Sequence, residues 1–203
     1  MMQFDNQLVN DYLNTNNLKV IKCDSSRPWG GWYIIDIHNI ENQSQSLYDK
    51  KIIQVVPGTI LSLQYHGSPD HVGHYEVWEA CTKIRALIGL QSVVGLSSYD
   101  LDLCINNTII VDIEAGGKIL IGAGCLHALA NPFDDYIFII EQRQSFHPET
   151  PESRENNIVR IYDQTNRNGT PSYPVDLLNK IMDKQYKPDV LVHSGEFFGS
   201  EQK

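Results

Sequence analysis

The chain has 203 residues, of which 41 % are hydrophobic and 20 % charged, and its formal net charge at pH 7 is −9. This composition is that of an ordinary globular protein, so wholesale disorder is not expected. The acidic balance disfavours nucleic acid as a partner, because phosphate groups require clustered Lys and Arg side chains.

The sequence has no recognisable signal peptide and no apolar run near the roughly 20 residues that a membrane helix needs. Its cysteines form no CxxC pair and no short disulfide framework. We therefore expect reduced thiols, a cytoplasmic location and no association with membranes.

The first predicted element is a short helix over residues 3–14, in which Phe4, Leu8, Val9 and Leu13 lie near one face. A series of short strands follows, rich in Val, Ile, Tyr and Trp and separated by turn residues. The predicted strands are 32–38, 51–56, 60–66, 75–81, 83–89, 103–113, 118–124, 127–132 and 136–142. No helical pattern intervenes, so the sequence predicts an antiparallel sandwich or barrel rather than alternating strands and helices.

The C-terminal part of the sequence is more polar. Residues 145–157 carry prolines and charges and are expected to form a surface excursion. A short apolar run at 158–162 and a polar loop follow. Residues 175–184 then have apolar side chains at helical spacing, which predicts a helix that begins near Pro174.

A strand–turn–strand stretch concentrates groups that bind metals or carry protons. Gln64 and His66 share one face of the first strand, and Glu76 and Trp78 share one face of the next. A third element, after a Gly-rich turn, contributes His127. In a small barrel these groups can converge, and an amide oxygen, a carboxylate and two imidazoles suit a divalent ion such as zinc, manganese, cobalt or iron.

Two plainer interpretations stay open at this point. A Gln-x-His pair on a strand is commonly part of a solvated sheet face. A histidine that follows Gly and Cys is commonly a hydrogen-bonded turn residue, as His127 would then be.

Five segments of the sequence resemble, in order, the cupin barrel of the phosphomannose isomerases related to the C-terminal part of mannose-1-phosphate guanylyltransferase. The resemblance extends over about residues 27–167. The segments are RPWGGWYII (27–35), VVPGTILSLQYH (55–66), EVW (76–78), GAGCLHALANP (122–132) and ENNIVRIYDQTNR (155–167).

The resemblance implies an all-β cupin fold, a double-stranded β-helix or jelly-roll barrel with short N- and C-terminal helices. It implies one domain over 1–203, with a barrel core of about 27–145 and a C-terminal extension of about 146–203. The activity it implies is metal-dependent aldose–ketose isomerisation of a sugar or sugar phosphate, with mannose 6-phosphate as the family's substrate.

The family's metal ligands fall on Gln64, His66, Glu76 and His127. They would hold one divalent ion, with zinc expected first and manganese, cobalt, iron or nickel as alternatives. Glu79 is the rival carboxylate, but Glu76 is preferred because it precedes Trp78 at the family's spacing.

The turn between the first two ligand strands departs from the family. The family reads H-H-R-A-E-H-W there, whereas this chain reads H-G-S-P-D-H-V-G-H-Y-E-V-W, with a longer loop and no Arg. The departure predicts that loop 67–75 resets the choice of substrate. His71 and His74 are candidates for proton transfer or sugar binding at the barrel mouth, or else simple loop residues.

A sugar phosphate also requires a cation, for which a bidentate Arg is the best group. Arg143, at the end of the last predicted barrel strand, is the candidate, and its plainer interpretation is an exposed Arg at a strand end.

Two other functions remain open from the sequence. One is a cupin that binds metal and carbohydrate without turnover, or an isomerase of another sugar. The weaker one is an oxygenase, against which the Gln ligand weighs. The expected partner is a small sugar or sugar phosphate, and a homodimer is possible.

Overall fold

The structure, a computed structural model, describes residues 3–39, 47–67, 74–145 and 157–199. Its helices are α1 (Gln7–Thr15), α2 (Ser98–Asn106) and α3 (Val175–Met182), with a short 3₁₀ turn at Arg167–Gly169. Its strands are β1 (Lys22–Arg27), β2 (Gly30–Asn39), β3 (Leu47–Val55), β4 (Thr59–Ile60), β5 (Leu63–His66), β6 (His74–Ala80), β7 (Ile84–Ser92), β8 (Ile109–Ile113), β9 (Lys118–Ile121), β10 (Cys125–Asn131), β11 (Ile137–Ser145), β12 (Ile158–Tyr162), β13 (Val190–Val192) and β14 (Phe197–Gly199).

The strands form two sheets. One has the order β1-β2-β3-β11-β6-β9-β14, and the other has the order β12-β5-β10-β7-β8-β13, with β4 added beside β10. The pairs β13–β8 and β14–β9 are parallel, and the other described pairs are antiparallel. The predicted all-β fold with short helices near both ends is therefore confirmed.

The main core lies between the sheets because alternate residues of each strand point inward. Both sheets contribute buried side chains to it. They include Ile53, Trp78, Ile84, Ile88, Ile113, Ile119, Leu129 and Ile139.

Each sheet also has an apolar outer face that a helix covers. Val9 and Leu13 of α1 pack against the cluster of Ile52, Phe138 and Ile140 on the first sheet. On the second sheet, α3 contributes to a cluster built on the outward-facing residues of β7 and β10. The two helices predicted near the ends of the sequence are therefore present, although α1 begins only at Gln7. Val9, Leu13 and Ile181 are buried, whereas Leu8 and Val175, on the predicted apolar faces, are exposed.

A buried arginine attaches the end of α3 to the second sheet. Arg85 is 1 % exposed and donates to both oxygens of Asp112, at 2.6 and 2.9 Å. Its remaining donors contact the main-chain carbonyls of Ile181, Asp183 and Tyr186. A single guanidinium thus satisfies the last carbonyls of the helix and neutralises a buried carboxylate.

The predicted strand over 103–113 is wrong in its first part. Helix α2 occupies that part, and β8 begins only at Ile109. Ser97 caps the helix, since its hydroxyl oxygen accepts a hydrogen bond from the Asp100 amide. The other predicted strands are present with shifted ends, and the predicted strand at 60–66 is divided into β4 and β5.

No helix of the described ranges is long and apolar enough to cross a membrane. None of the four cysteines, all of which lie in those ranges, forms a disulfide.

Candidate metal centre

Strand β6 carries alternate residues into the barrel. His74, Glu76 and Trp78 are buried on its inner face, whereas the residues between them are partly exposed. Glu79 lies on the outer face, where it forms an ion pair with Lys118 at 3.2 Å. The rival carboxylate therefore points away from the barrel interior, and Glu76 points into it.

Three imidazoles surround the Glu76 carboxylate. His66 Nε2 and His74 Nε2 each lie 3.1 Å from Glu76 Oε1, and His127 Nε2 lies 3.8 Å from Oε2. The four residues are at most 3 % exposed. Ligand atoms about 2.1 Å from a single ion are separated by roughly 3 to 3.5 Å, so the spacing of Glu76 from His66 and from His74 suits one divalent ion.

The ring of His127 is oriented by its own strand. Its Nδ1 lies 3.0 Å from the Cys125 carbonyl oxygen, to which it donates. Its Nε2 then carries the lone pair, and that buried atom has no hydrogen-bond partner among the described residues. An imidazole held by Nδ1–H to a carbonyl, with a bare Nε2, is the form that binds a metal ion.

The charge states also suit a metal ion. Burial holds the pKa of His66 well below its ordinary value and lowers that of His127, so both rings are neutral at pH 7. Burial alone would raise the pKa of Glu76, but His66 and His127 beside it hold that pKa well below its ordinary value. The Trp78 indole N–H also donates to Glu76 Oε2, at 3.0 Å. The centre therefore offers neutral nitrogens and one ionised carboxylate.

Gln64 reaches the same centre from β5, where it pairs with His127 across the sheet. Its Oε1 accepts a hydrogen bond from the Ser62 hydroxyl at 2.7 Å. Its Nε2 lies 3.4 Å from His66 Nε2. The amide nitrogen, rather than the oxygen that would bind a metal, thus faces the imidazoles.

His74 and Arg143 lie together beside the carboxylate. Arg143 belongs to β11 and is mostly buried, and its Nε and Nη2 lie 2.9 and 2.7 Å from His74 Nε2. Arg143 is therefore not an exposed residue at a strand end, and His74 belongs to a strand rather than to the loop. His71 lies outside the described residues.

Sequence reasoning missed a second pair inside the barrel. Lys51 on β3 and Glu141 on β11 are partners across the sheet, and Lys51 Nζ lies 2.6 Å from Glu141 Oε1. Burial, reinforced by the charge of Glu76, raises the pKa of Glu141 to about 6. The two-residue period of a strand was the available signal, since it puts Glu141 and Arg143 on the same face as Ile137 and Ile139.

It also missed a polar chain that leads from the C-terminal segment to Gln64. Asp163 is 1 % exposed and accepts a hydrogen bond from Arg167 Nε at 2.5 Å. Arg167 Nη2 donates to the Ser62 hydroxyl oxygen at 3.1 Å. Both residues of the C-terminal segment belong to the last resembling block, but nothing in the sequence places them next to Ser62.

No family model and no curated protein matches this chain. Among solved structures, a recombinant oxalate oxidase in complex with glycolate is similar, with 16 % identity, a TM-score of 0.44 and coverage of 77 % of this chain and 67 % of the other. The oxalate decarboxylase of Lactobacillus farciminis has 14 % identity, a TM-score of 0.42 and coverage of 72 % and 34 %. The capsular polysaccharide assembling protein CapF from Staphylococcus aureus has 13 % identity, a TM-score of 0.42 and coverage of 70 % and 31 %. Similarities this distant do not indicate an activity.

Proposed function

We propose that this protein is a metal-dependent enzyme that interconverts an aldose and a ketose, either free or phosphorylated. The observation that carries the proposal is the convergence of His66, His127 and Glu76 in the barrel interior, with Arg143 beside them. Three ligands and an adjacent cation suit a substrate that presents both oxygen ligands and an anionic group.

The expected cofactor is one divalent ion, zinc first, with manganese, cobalt, iron and nickel as alternatives. Such an ion would hold the two oxygens of the substrate and stabilise the charge that develops when the carbonyl migrates.

The protein's own groups would perform the remaining work. The reaction must move a proton between adjacent carbons, and Glu141 is a suitable carrier because its raised pKa lies near 6. Among the described residues, Arg143 Nε forms ion pairs with Glu76 Oε1 at 3.7 Å and Glu141 Oε1 at 4.0 Å, and its guanidinium can bind an anionic substituent of the sugar.

The test is a screen of the metal-loaded protein against aldoses, ketoses and their 6-phosphates, followed by proton NMR. We expect interconversion of at least one pair, loss of the activity with a strong chelator and its return with a divalent ion. Activity that is indifferent to the chelator would contradict the metal mechanism.

A non-catalytic cupin that binds metal and carbohydrate is the second candidate. It is favoured by one observation: the Nε2 lone pair of His74, a candidate proton carrier, already accepts hydrogen bonds from Arg143. Full metal occupancy and calorimetric binding of a sugar, with no turnover of any member of the screen, would select this function.

A further inference from the structure

The position of Gln64 within the metal centre depends on a polar chain that begins at Asp163. Asp163 is buried, and its second carboxylate oxygen accepts from both the amide and the hydroxyl of Thr165. Arg167 therefore has a fixed anion to pair with, and its far nitrogen reaches Ser62. The hydrogen bonds thus run from Asp163 through Arg167 to Ser62, whose hydroxyl contacts Gln64.

The direction of each hydrogen bond in this chain follows from its members. A guanidinium can only donate, so Ser62 Oγ is the acceptor from Arg167. The one hydroxyl proton of Ser62 is then available to Gln64 Oε1, 2.7 Å away. The carbonyl oxygen of Gln64 is engaged by Ser62, and its NH₂ group points toward His66. An N–H group directed at the imidazole lone pairs is a poor neighbour for a cation but a good donor to an anionic ligand of that cation.

A histidine can supply the ligand atom that Gln64 does not offer to the centre. His74 Nε2 lies 2.9 and 2.7 Å from two Arg143 nitrogens, which can only donate, and 3.1 Å from Glu76 Oε1. In the tautomer that accepts from Arg143, this Nε2 carries a lone pair and has no proton for Glu76. It lies 3.1 Å from the same Glu76 oxygen that His66 approaches, and the rings of His66 and His74 are 4.1 Å apart. The ligand atoms of His66, His74 and Glu76 all lie within 4.8 Å of one another.

We infer that Gln64 is not a metal ligand in this chain but an oriented hydrogen-bond donor, and that His74 supplies the fourth ligand atom in its place. The inference rests on the metal site of the proposed function. An ion bound to His74 Nε2 takes the lone pair that Arg143 uses, and so releases the guanidinium for an anionic ligand.

The first test uses the metal alone. Zinc affinity is measured by competition with a chromophoric chelator, and the number of bound imidazoles by X-ray absorption, in Gln64→Ala and His74→Ala as a matched pair. We expect His74→Ala to weaken zinc binding by about 10- to 100-fold and to remove one imidazole, as the loss of a direct ligand costs at least as much as that of a supporting group. We expect Gln64→Ala to change the affinity less than about threefold.

The opposite pattern, a large loss in Gln64→Ala with an unchanged imidazole count in His74→Ala, would overturn the inference. His74→Asn serves as a second variant of near-native volume, and a thermal melt of each protein shows that it is folded. A parent protein that binds no zinc would overturn the proposed function as well, whereas zinc binding with the opposite pattern would overturn this inference alone.

The second test concerns the role of Gln64 and uses acetate, a simple oxyanion, as the probe. Binding of acetate to the cobalt-loaded protein is followed by visible absorption. Gln64→Ala and Ser62→Ala should weaken acetate binding by about three- to tenfold, the value of one hydrogen bond, without changing cobalt affinity. Ser62→Thr retains the hydroxyl and should restore acetate binding. Equal acetate affinity in all four proteins would refute the donor role.

Discussion

Arg143 and Glu76 are partners across the pairing of β11 and β6, and Arg143 Nε lies 3.7 Å from Glu76 Oε1. Direct pairing on one face of an antiparallel sheet brings two side chains together whatever their separation in sequence. The guanidinium of Arg143 therefore places a positive charge next to Glu76, the one carboxylate among the candidate metal ligands in the described residues.

Replacement of that cation should strengthen metal binding. Arg143→Gln removes a positive charge that repels a divalent ion and competes for Glu76 and His74, so we expect the zinc affinity to rise by about threefold or more. Arg27→Gln is the matched control, because Arg27 is exposed and pairs with Asp24. Chelator competition measures both, and a lower zinc affinity in Arg143→Gln would show that the guanidinium supports the site.

Metal content should depend on buried histidines and not on exposed ones. Elemental analysis of protein purified without chelator should find about one equivalent of a divalent transition metal. His66→Ala and His127→Ala should each abolish it, whereas His193→Ala, which removes an exposed imidazole, should not. Unchanged metal content in the first two variants would refute the assignment of the site.

The stability of the metal-free protein should depend on pH through the same rings. Burial places the pKa of His66 and His127 below the ordinary 6.5, so only the unfolded chain gains these protons as the pH falls. The contribution is fully present above pH 6.5 and is lost below it, by about 1.4 kcal/mol per pH unit for each ring.

Denaturant unfolding with chelator present, at pH 5, 6 and 7, measures that dependence. In His127→Gln the slope of the unfolding free energy against pH should be smaller by the contribution of one imidazole, about 1.4 kcal/mol per pH unit. Glu141 acts in the opposite direction, because its pKa is raised to about 6 and its contribution is lost as the pH rises through that value. Because Glu141 is present in both the variant and the parent, its contribution cancels when the two slopes are compared. Identical slopes of the unfolding free energy against pH would contradict the conclusion that His127 is neutral in the folded protein.

Loss of one partner of the buried pair on the second sheet should be costly. Asp112→Ala leaves the Arg85 guanidinium buried beside helix carbonyls without its anion, so the free energy of unfolding should fall by about 3–5 kcal/mol. Glu114→Ala breaks the half-exposed pair with Lys83 and should cost less than about 1 kcal/mol. Similar losses in the two variants would contradict a special role for the buried pair.

Substrate choice is predicted to differ from that of the resembling family. Loop 67–75 lacks the family's Arg, so mannose 6-phosphate should be a poor substrate beside some other sugar of the screen. His71→Ala should keep the metal content and reduce turnover by about tenfold, or about 1.4 kcal/mol. Mannose 6-phosphate as the best substrate, together with unchanged turnover in the variant, would refute this prediction.

Most of the strands were predictable because they are short runs rich in Val, Ile, Tyr and Trp that end at turn residues. Helix α2 was not, because only three polar residues, 106–108, separate the apolar residues near its end from the run of β8. The capping residue Ser97, three positions before Asp100, was the local signal, and burial of Cys104 and Ile105 against the second sheet completes the helix.

The candidate site was only partly predictable. The inward direction of Glu76 followed from its strand alternation, but the orientation of an amide does not follow from spacing. Ser62 and Arg167 determine the side toward which Gln64 turns its oxygen, and they are brought together by the pairing of β5 with β12. Likewise, the position of His74 depends on where β6 begins, which a long loop leaves undetermined.

The place of β11 between β3 and β6 has a consequence for the synthesis of this protein. Residues 47–55 and 74–80 leave the ribosome early, but the strand that joins them comes only with residues 137–145. Until then both strands expose edges that invite pairing with other chains. His66 and Glu76 are likewise made well before His127, so a nascent chain cannot enclose an ion with the full set. An ion held by all of these groups could therefore be enclosed only after residue 127 has been made, and termination before residue 137 would leave the facing edges of β3 and β6 unpaired.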